Sequence, residues 1–127
     1  RQTPDGTWTY IRSGSNPAWT TTITDPQNNQ TVVNFQQIYE TQRQVYQGLS
    51  TSGTLLETVT TCYNGNTLNC NTTGITLPIT ERSVTTQWGQ GGLEAQTKTF
   101  YNAYGLIKKR MSTITGIMLL ARLSARL

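Results

Sequence analysis

The segment of residues 93–101 restricts the fold more than any other part of the chain. Every second side chain in it is apolar, aromatic or a threonine, and the side chains between them include Glu94 and Lys98. A period of two is typical of a β-strand with one covered face and one solvated face. Asn102 and Gly105 follow, and both tolerate the left-handed backbone of tight turns. The segment therefore predicts a strand, a turn and a further strand.

The composition extends this prediction to the whole chain of 127 residues. The chain contains 25 threonines and no histidine, and only 13% of its residues are charged. Thr, Tyr, Trp and Val favour strands, whereas the usual surface helix formers Ala, Lys and Glu are scarce. A chain of this length can bury the core of one domain. We therefore predict a single all-β domain.

A second turn is predicted at residues 25–29. Asp25 can bond back to the main chain, and Pro26 fixes the backbone for the first turn position. Asn28 can adopt a positive φ. The β-branched residues before and after this loop are predicted to form two paired strands.

The turn near the end of the chain resembles the tyrosine-aspartate (YD) repeat of Rhs-type bacterial proteins. The positions that match the Tyr, Asp, Gly and final apolar residue of that repeat are Tyr101, Asn102, Gly105 and Ile107. Asn102 replaces the usual Asp, and Leu106 stands where Arg or a polar residue is common. Two other segments resemble the repeat, namely residues 24–31, with Asn28 in a glycine position, and Tyr63-Asn64-Gly65.

The resemblance covers roughly residues 5–110 and implies a sheet of antiparallel β-hairpin repeats. Complete YD-repeat proteins build a large hollow shell around a toxin or other cargo. This chain is too short to close such a shell. We expect either a slice of a longer chain or a subunit that pairs its sheet edges with copies of itself. The predicted division is a β-repeat domain at residues 1–110 and a C-terminal interaction tail at residues 111–127.

Residues 34–47 allow two interpretations. Their apolar and aromatic side chains follow helical spacing, Asn34 with Gln37 can form a capping box, and Gly48 can end a helix. In the other interpretation, residues 38–47 form a strand. Because YD repeats consist almost entirely of strands, the resemblance favours the strand.

The clearest predicted hairpin covers residues 79–101, with a four-residue loop at 89–92. The predicted opposite pairs are Trp88 with Leu93, Thr86 with Ala95, Val84 with Thr97, and Thr80 with Tyr101. Glu81 and Lys98 then become diagonal neighbours on the other face. This register collects the apolar side chains on one face, which is what fixes the register of a strand pair.

Cys62 and Cys70 flank a polar loop rich in Asn, Thr and Gly. In an oxidising compartment they can form a disulfide that stabilises the fold by roughly 2–3 kcal/mol. The alternative is two unpaired thiols. We expect the disulfide, because the loop is short and contains no His or third Cys for a metal site.

The sequence offers little for catalysis. Without His there is no Ser-His or Cys-His nucleophile pair and no imidazole metal site. The six carboxylates fall in turns or on predicted solvated faces. Residues 108–110 are basic but lie beside a turn, where a solvated edge is the usual interpretation. We expect no enzyme activity, no cofactor, no metal, no nucleic-acid partner and no membrane span.

Three tryptophans suggest an alternative function. Trp8, Trp19 and Trp88 can stack on sugars, although aromatic side chains on β-sheet faces more often pack in a core. If they form an exposed row, the protein is a carbohydrate-binding or adhesive module that contacts cell-surface polysaccharide.

The tail breaks the composition of the rest of the chain, because Leu, Met, Ala and Arg replace Thr and Asn. From Ile117 the pattern is a short helix or an apolar extension. The candidate self-association residues are Ile117, Leu120, Leu123 and Leu127. The other interpretation is a frayed end or sequence unrelated to the upstream repeats. We therefore expect a non-catalytic, self-associating structural protein at the cell surface or outside the cell, as a filament, tube or shell component.

Overall fold

The computed structural model describes residues 1–89 and 92–115. These residues form ten β-strands and no helix. The strands are β1 (Gln2–Thr3), β2 (Gly6–Thr7), β3 (Thr9–Ser15), β4 (Ala18–Thr24), β5 (Gln30–Gln36), β6 (Tyr39–Gln47), β7 (Thr54–Tyr63), β8 (Glu81–Trp88), β9 (Glu94–Tyr101) and β10 (Ile107–Thr115). The predicted all-β class is confirmed.

Strands β3 to β10 form one antiparallel sheet in the order β10-β9-β8-β7-β6-β5-β4-β3. Every strand therefore lies beside its neighbours in sequence, as in a simple meander of hairpins. The connections are short except for residues 64–80, between β7 and β8. β1 and β2 form a separate two-stranded ladder, which the main chains of Arg1 and Trp8 extend with hydrogen bonds of 2.6 and 2.7 Å.

The large sheet has a single layer. Among the described strands, each one contacts only the strands beside it in the sheet, so no second sheet covers either face. In the same part of the chain, only two apolar side chains are buried, Val33 and Cys70. Most globular domains pack two layers around a core. Here the stability must come mainly from cross-strand pairs and main-chain hydrogen bonds.

One face of the sheet carries an uninterrupted row of uncharged polar residues, one from each strand. This polar ladder consists of Ser13, Thr20, Asn34, Gln42, Thr60, Thr85, Gln96 and Thr113. Thr20 Oγ1 donates to Asn34 Oδ1 at 2.8 Å, and Asn34 Nδ2 donates to Gln42 Oε1 at 3.2 Å. Gln96 Nε2 donates to Thr85 Oγ1 at 3.0 Å. Such cross-strand pairs each stabilise a sheet by a fraction of a kcal/mol, roughly 0.2–1.

The opposite face, the mixed face, carries most of the apolar side chains of the strands. Its central row consists of Arg12, Thr21, Val33, Arg43, Val59, Thr86, Ala95 and Ile114. Val33 lies near the middle and is only 2% exposed. The mixed face is therefore the closest approach to a core in this sheet.

A bulge in β6 affects the side chains of Glu40, Thr41 and Arg43. Phe35 pairs with Glu40 and Asn34 with Gln42, so Thr41 is the extra residue. The bulge brings the Glu40 carboxylate within 2.7 Å of the Arg43 guanidinium. That hydrogen bond raises the pKa of Arg43 above its usual range. Thr41 is completely buried, and its hydroxyl donates to Asn34 O at 3.2 Å.

The strand interpretation of residues 38–47 is confirmed, because β6 covers most of them and no helix forms. β5 reaches Gln36, and Gln37 takes a positive φ of 59° in a two-residue turn. Gln37 N donates to Pro17 O at 2.7 Å, which ties this turn to the turn between β3 and β4. β6 pairs along both of its sides, and this pairing overrides the helical spacing of the local sequence.

The register of the β8–β9 hairpin is as predicted. Thr86 pairs with Ala95 and Val84 with Thr97. Trp88 N donates to Leu93 O at 3.3 Å and continues the same register into the loop. By contrast, the predicted domain boundary after residue 110 falls inside β10. Residues 111–115 therefore belong to the sheet and not to the tail.

The turns at Asp25 and Asn102 are built alike. In each, the side-chain Oδ1 accepts hydrogen bonds from the amides two and four residues later, at 2.9 to 3.0 Å. The main chain adds the same two hydrogen bonds in both turns. The residue three positions on has a positive φ in both, 65° at Asn28 and 79° at Gly105. The predicted roles of Asp25 and Asn28 are confirmed, and Asn102 acts through its side chain as Asp25 does.

The Tyr63-Asn64-Gly65 turn differs from these two. Asn64 and Gly65 both have positive φ, 56° and 79°, and Asn66 N donates to Tyr63 O at 3.1 Å. This is the pattern of a type I′ turn. However, the chain continues into the loop of residues 64–80 instead of pairing back at once. A turn forms here as predicted, and its geometry differs from that of the turns at Asp25 and Asn102.

Asp25→Asn should change the acid sensitivity of the fold. The hydrogen bond from the Asn29 amide holds the pKa of Asp25 below its ordinary value of 3.8. The unfolded chain therefore takes up the proton first as the pH falls, so this carboxylate stabilises the fold above about pH 4 and loses that effect below. We expect the wild-type free energy of unfolding to fall more steeply than that of Asp25→Asn between pH 4 and pH 2 in urea titrations. Asp5→Asn, which removes the same charge from another turn, should keep the wild-type slope, and equal slopes for all three proteins would contradict this.

Candidate functional site

The sheet ends in two open edges. β3 pairs only with β4, and β10 pairs only with β9. Within residues 1–89 and 92–115, no main-chain group bonds to the outer side of either strand. Every residue of β3 is exposed, and in β10 only Ile114 is partly covered. An unpaired strand edge is a template for another strand.

The directions of the two edges are complementary. Neighbouring strands of the sheet are antiparallel throughout, and the sheet contains eight strands. Because eight is even, β3 and β10 run in opposite directions. When one copy is translated along the sheet, its β3 meets the β10 of the other copy as an antiparallel pair. The alternation of strand directions then continues across the junction.

The charges of the two edges differ. β10 carries Lys108, Lys109 and Arg110 and no acidic residue. β3 carries one charged residue, Arg12, whose guanidinium lies 4.5 Å from the centre of the Trp19 ring. Like charges directly opposite each other destabilise a strand pair. Pairing of β10 with a second β10 is therefore the least favourable combination of edges.

The disulfide between Cys62 and Cys70 is present, as predicted, with the two Cα atoms 5.2 Å apart. It anchors the loop of residues 64–80 over part of the face that carries the polar ladder. The carbonyl of Asn71 accepts hydrogen bonds from Gln36 Nε2 at 3.3 Å and from the Thr41 hydroxyl at 3.5 Å. The disulfide thus connects β7 to β5 and β6 through the loop. A disulfide fits an oxidising compartment.

The other end of this loop is held by one side chain. Asn64 Nδ2 donates to Thr76 O at 2.7 Å, and Asn64 Oδ1 accepts from the Thr80 amide at 2.7 Å. The loop is therefore tied at both ends, by Asn64 and by the disulfide. The sequence indicated a turn at Asn64. It did not indicate the contacts of this side chain with Thr76 and Thr80, which lie 12 and 16 positions later.

The three tryptophans do not form one row. Trp19 lies near the start of β4, and Trp88 ends β8. These two strands are four strand spacings apart in the sheet, which is about 19 Å. The cross-strand partners of Trp88, followed from β8 to β4, end at Ile23, which is four residues from Trp19. Trp8 lies between β2 and β3, outside the large sheet. A flat sugar platform of these three rings is therefore absent from the described part of the chain.

Other kinds of site have little support in the described residues. In that part of the chain, no group of three or more His, Cys, Asp or Glu side chains is arranged to hold a metal ion. None of its segments is a helix long and apolar enough to cross a membrane. The candidate tail residues Ile117, Leu120, Leu123 and Leu127 lie outside the described residues.

The strand predicted after Gly105 continues further than expected, to Thr115. The signal for this continuation was Thr113, Ile114 and Thr115, a β-branched run of the kind that favours strands. Edge positions cannot be found from one strand alone, since they depend on the order of all strands.

No protein-family model, curated protein or solved structure matches this chain. The resemblance to YD repeats therefore stays a prediction.

Proposed function

We propose that this chain is a non-catalytic structural subunit whose sheet continues from one copy to the next. The edge of β10 in one copy pairs with the edge of β3 in another. The observation that supports this proposal is a single-layer, eight-stranded sheet with two exposed edges of opposite direction. Each new pair satisfies main-chain groups that otherwise face water.

The rows of the two faces also continue in this arrangement. Placing Ser13 of one copy opposite Thr113 of another extends the polar ladder. The same register puts Arg12 beside Ile114 on the mixed face. It also sets Ser15 opposite Met111 and diagonal to Lys109. In this register each face continues into the same face of the next copy, whereas a one-residue slip would exchange the two faces.

The contact is heterologous, since each copy uses a different edge on each side. Repeating a heterologous contact gives a closed ring or an open filament, depending on the rotation between copies. The right-handed twist of sheets introduces such a rotation at each step. A filament, tube or shell wall is the form of assembly that this proposal implies.

An extracellular or cell-surface location accompanies the proposal. The Cys62–Cys70 disulfide persists only in a compartment without reducing systems. It also anchors the loop of residues 64–80 against β5. The adhesive alternative has less support, because Trp8, Trp19 and Trp88 are separated as described above.

Charge changes at Ser15 test the contact. Ser15 is exposed at the end of β3, and within residues 1–89 and 92–115 its side chain forms no hydrogen bond. In the proposed register, Ser15→Lys faces the basic β10 edge and should raise the concentration at which assemblies form by about two- to fivefold, since such charge pairs contribute roughly 0.2–1 kcal/mol. Ser15→Glu should lower that concentration by a similar factor. Sedimentation velocity and negative-stain electron microscopy would measure both.

Thr51→Lys and Thr51→Glu are matched controls, because Thr51 is an exposed loop residue in the connection between β6 and β7. Both should assemble as the wild type does. If the two charges at Ser15 weaken assembly equally, β3 pairs with β3 and the head-to-tail contact is wrong. A wild-type chain that stays monomeric up to its solubility limit would overturn the structural function itself.

A further inference from the structure

A pocket lined by tyrosines lies at one end of four adjacent strands, β6 to β9. Tyr39 of β6, Tyr63 of β7, Arg82 of β8 and Tyr101 of β9 line it, and Leu77 and Pro78 of the long loop close one side. We call this cavity the tyrosine pocket. Its volume of about 360 Å³ falls in the range of small-molecule sites. The turn between β9 and β10 also contributes to the lining, whereas no residue of β3 or β10 does.

The aromatic wall of the pocket is fixed in place. The rings of Tyr39 and Tyr63 are 5.6 Å apart and tilted by 60°. The Tyr63 hydroxyl donates to the carbonyl of Glu40 at 3.1 Å, which sets the orientation of its ring. Burial raises the pKa of Tyr63, so the ring remains a neutral phenol. A preformed wall loses little conformational entropy when a ligand binds.

Arg82 gives the pocket a positive charge. Its side chain is exposed, and among the described residues the only ion pair is the one between Arg43 and Glu40. The Glu40 carboxylate is therefore already engaged by Arg43, and Arg82 has no acidic partner in that part of the chain. A planar guanidinium binds a carboxylate with two parallel hydrogen bonds. A ligand with a ring and an anionic group would therefore match the pocket, since the ring can pack on the tyrosines and the anion can pair with Arg82.

We propose that the tyrosine pocket binds a sugar acid, a pyranose ring that carries a carboxylate. The C–H faces of the pyranose pack against the tyrosine rings, as sugars do on aromatic side chains. The carboxylate pairs with Arg82, and the hydroxyls of Tyr39 and Tyr101 remain available for the sugar hydroxyls. The ligand is a uronate, either free or as a residue of an acidic polysaccharide. This inference does not depend on the proposed assembly.

Titration of the full chain with glucuronate, glucose and acetate tests the proposal by NMR. Glucuronate should shift the ring signals of Tyr39, Tyr63 and Tyr101 and bind at least about tenfold more tightly than glucose or acetate. Arg82→Gln should weaken glucuronate binding by about tenfold or more while leaving glucose unchanged, since hydrogen bonds to charged groups are among the stronger ones. An oligomer of uronates that competes with glucuronate would identify a polysaccharide as the source.

Lys98→Gln is the matched control. Lys98 pairs with Ser83 on the face of the sheet opposite Arg82, and its loss changes the net charge by the same amount as the loss of Arg82. It should change glucuronate affinity by less than twofold. Arg82→Lys keeps the charge but not the planar fork, and it should bind glucuronate with intermediate affinity. Equal effects of Arg82→Gln and Lys98→Gln would overturn the proposal. So would acetate that binds as tightly as glucuronate, or glucuronate shifts that lie outside the pocket.

Discussion

Replacing Cys62 and Cys70 together with Ala should lower the free energy of unfolding by roughly 2–3 kcal/mol. The disulfide closes a loop with a sequence separation of 8, and a loop of this size restricts the unfolded chain by about that amount. The fold also loses the anchor that holds Asn71 against Gln36 and Thr41. The effect is large for this protein, because its single-layer sheet buries so few apolar side chains. Urea denaturation followed by circular dichroism would measure it.

The control for this prediction is reduction. A thiol reductant should bring the wild type close to the stability of the double variant and leave the double variant itself unchanged. If reduction destabilises both proteins equally, or the double variant unfolds at the wild-type urea concentration, the disulfide does not contribute as we expect.

Gly53→Ala should destabilise the fold by about 2–3 kcal/mol, because the added methyl group would overlap main-chain atoms that cannot move independently. A Cβ at Gly53 would lie 2.7 Å from Leu49 O and 2.8 Å from Gly48 C, and it would also contact Gln47 O. Gly53 N donates to Leu49 O at 2.6 Å, so the turn is already closed tightly around this residue. The turn joins β6 and β7 in the middle of the sheet. Thermal and urea unfolding would measure the loss.

Gly74→Ala is the matched substitution. A Cβ at Gly74 meets no atom within 4 Å. This variant should be as stable as the wild type or more stable by about 0.4–1 kcal/mol, because alanine restricts the unfolded chain. Similar stabilities for Gly53→Ala and Gly74→Ala would show that the turn at residues 48–53 relaxes and that the predicted overlap is absent.

Both predictions concern how the sheet persists without a second layer. A sheet that extends from copy to copy keeps its faces exposed to solvent and needs few large apolar side chains. The polar ladder and the anchored loop suit that condition. Assembly would then add strand neighbours at the two edges, where all of β3 and nearly all of β10 now face water. We therefore expect stability to rise with protein concentration, as it does when folding and association are linked.

Several local elements could be predicted from short stretches of sequence. The alternation in residues 93–101 and the loop at 89–92 were enough for the register of β8 with β9, because a one-residue slip would move every apolar side chain to the wrong face. The turns at Asp25 and Asn102 were equally local. Their hydrogen bonds join residues no more than four positions apart. The disulfide also followed from short spacing and a polar loop.

The assembled sheet fixes which strands stand at its edges and which side chains meet across it. Residues 34–47 show the reason, since their helical spacing gave way to pairing with β5 and β7, which local propensity does not contain. The bulge that buries Thr41 arises from the pairing of β6 with β5. The convergence of Tyr39, Tyr63, Arg82 and Tyr101 involves four separate strands. These arrangements depend on non-local main-chain hydrogen bonds. No side-chain pattern within a single strand encodes the neighbour that those bonds will select.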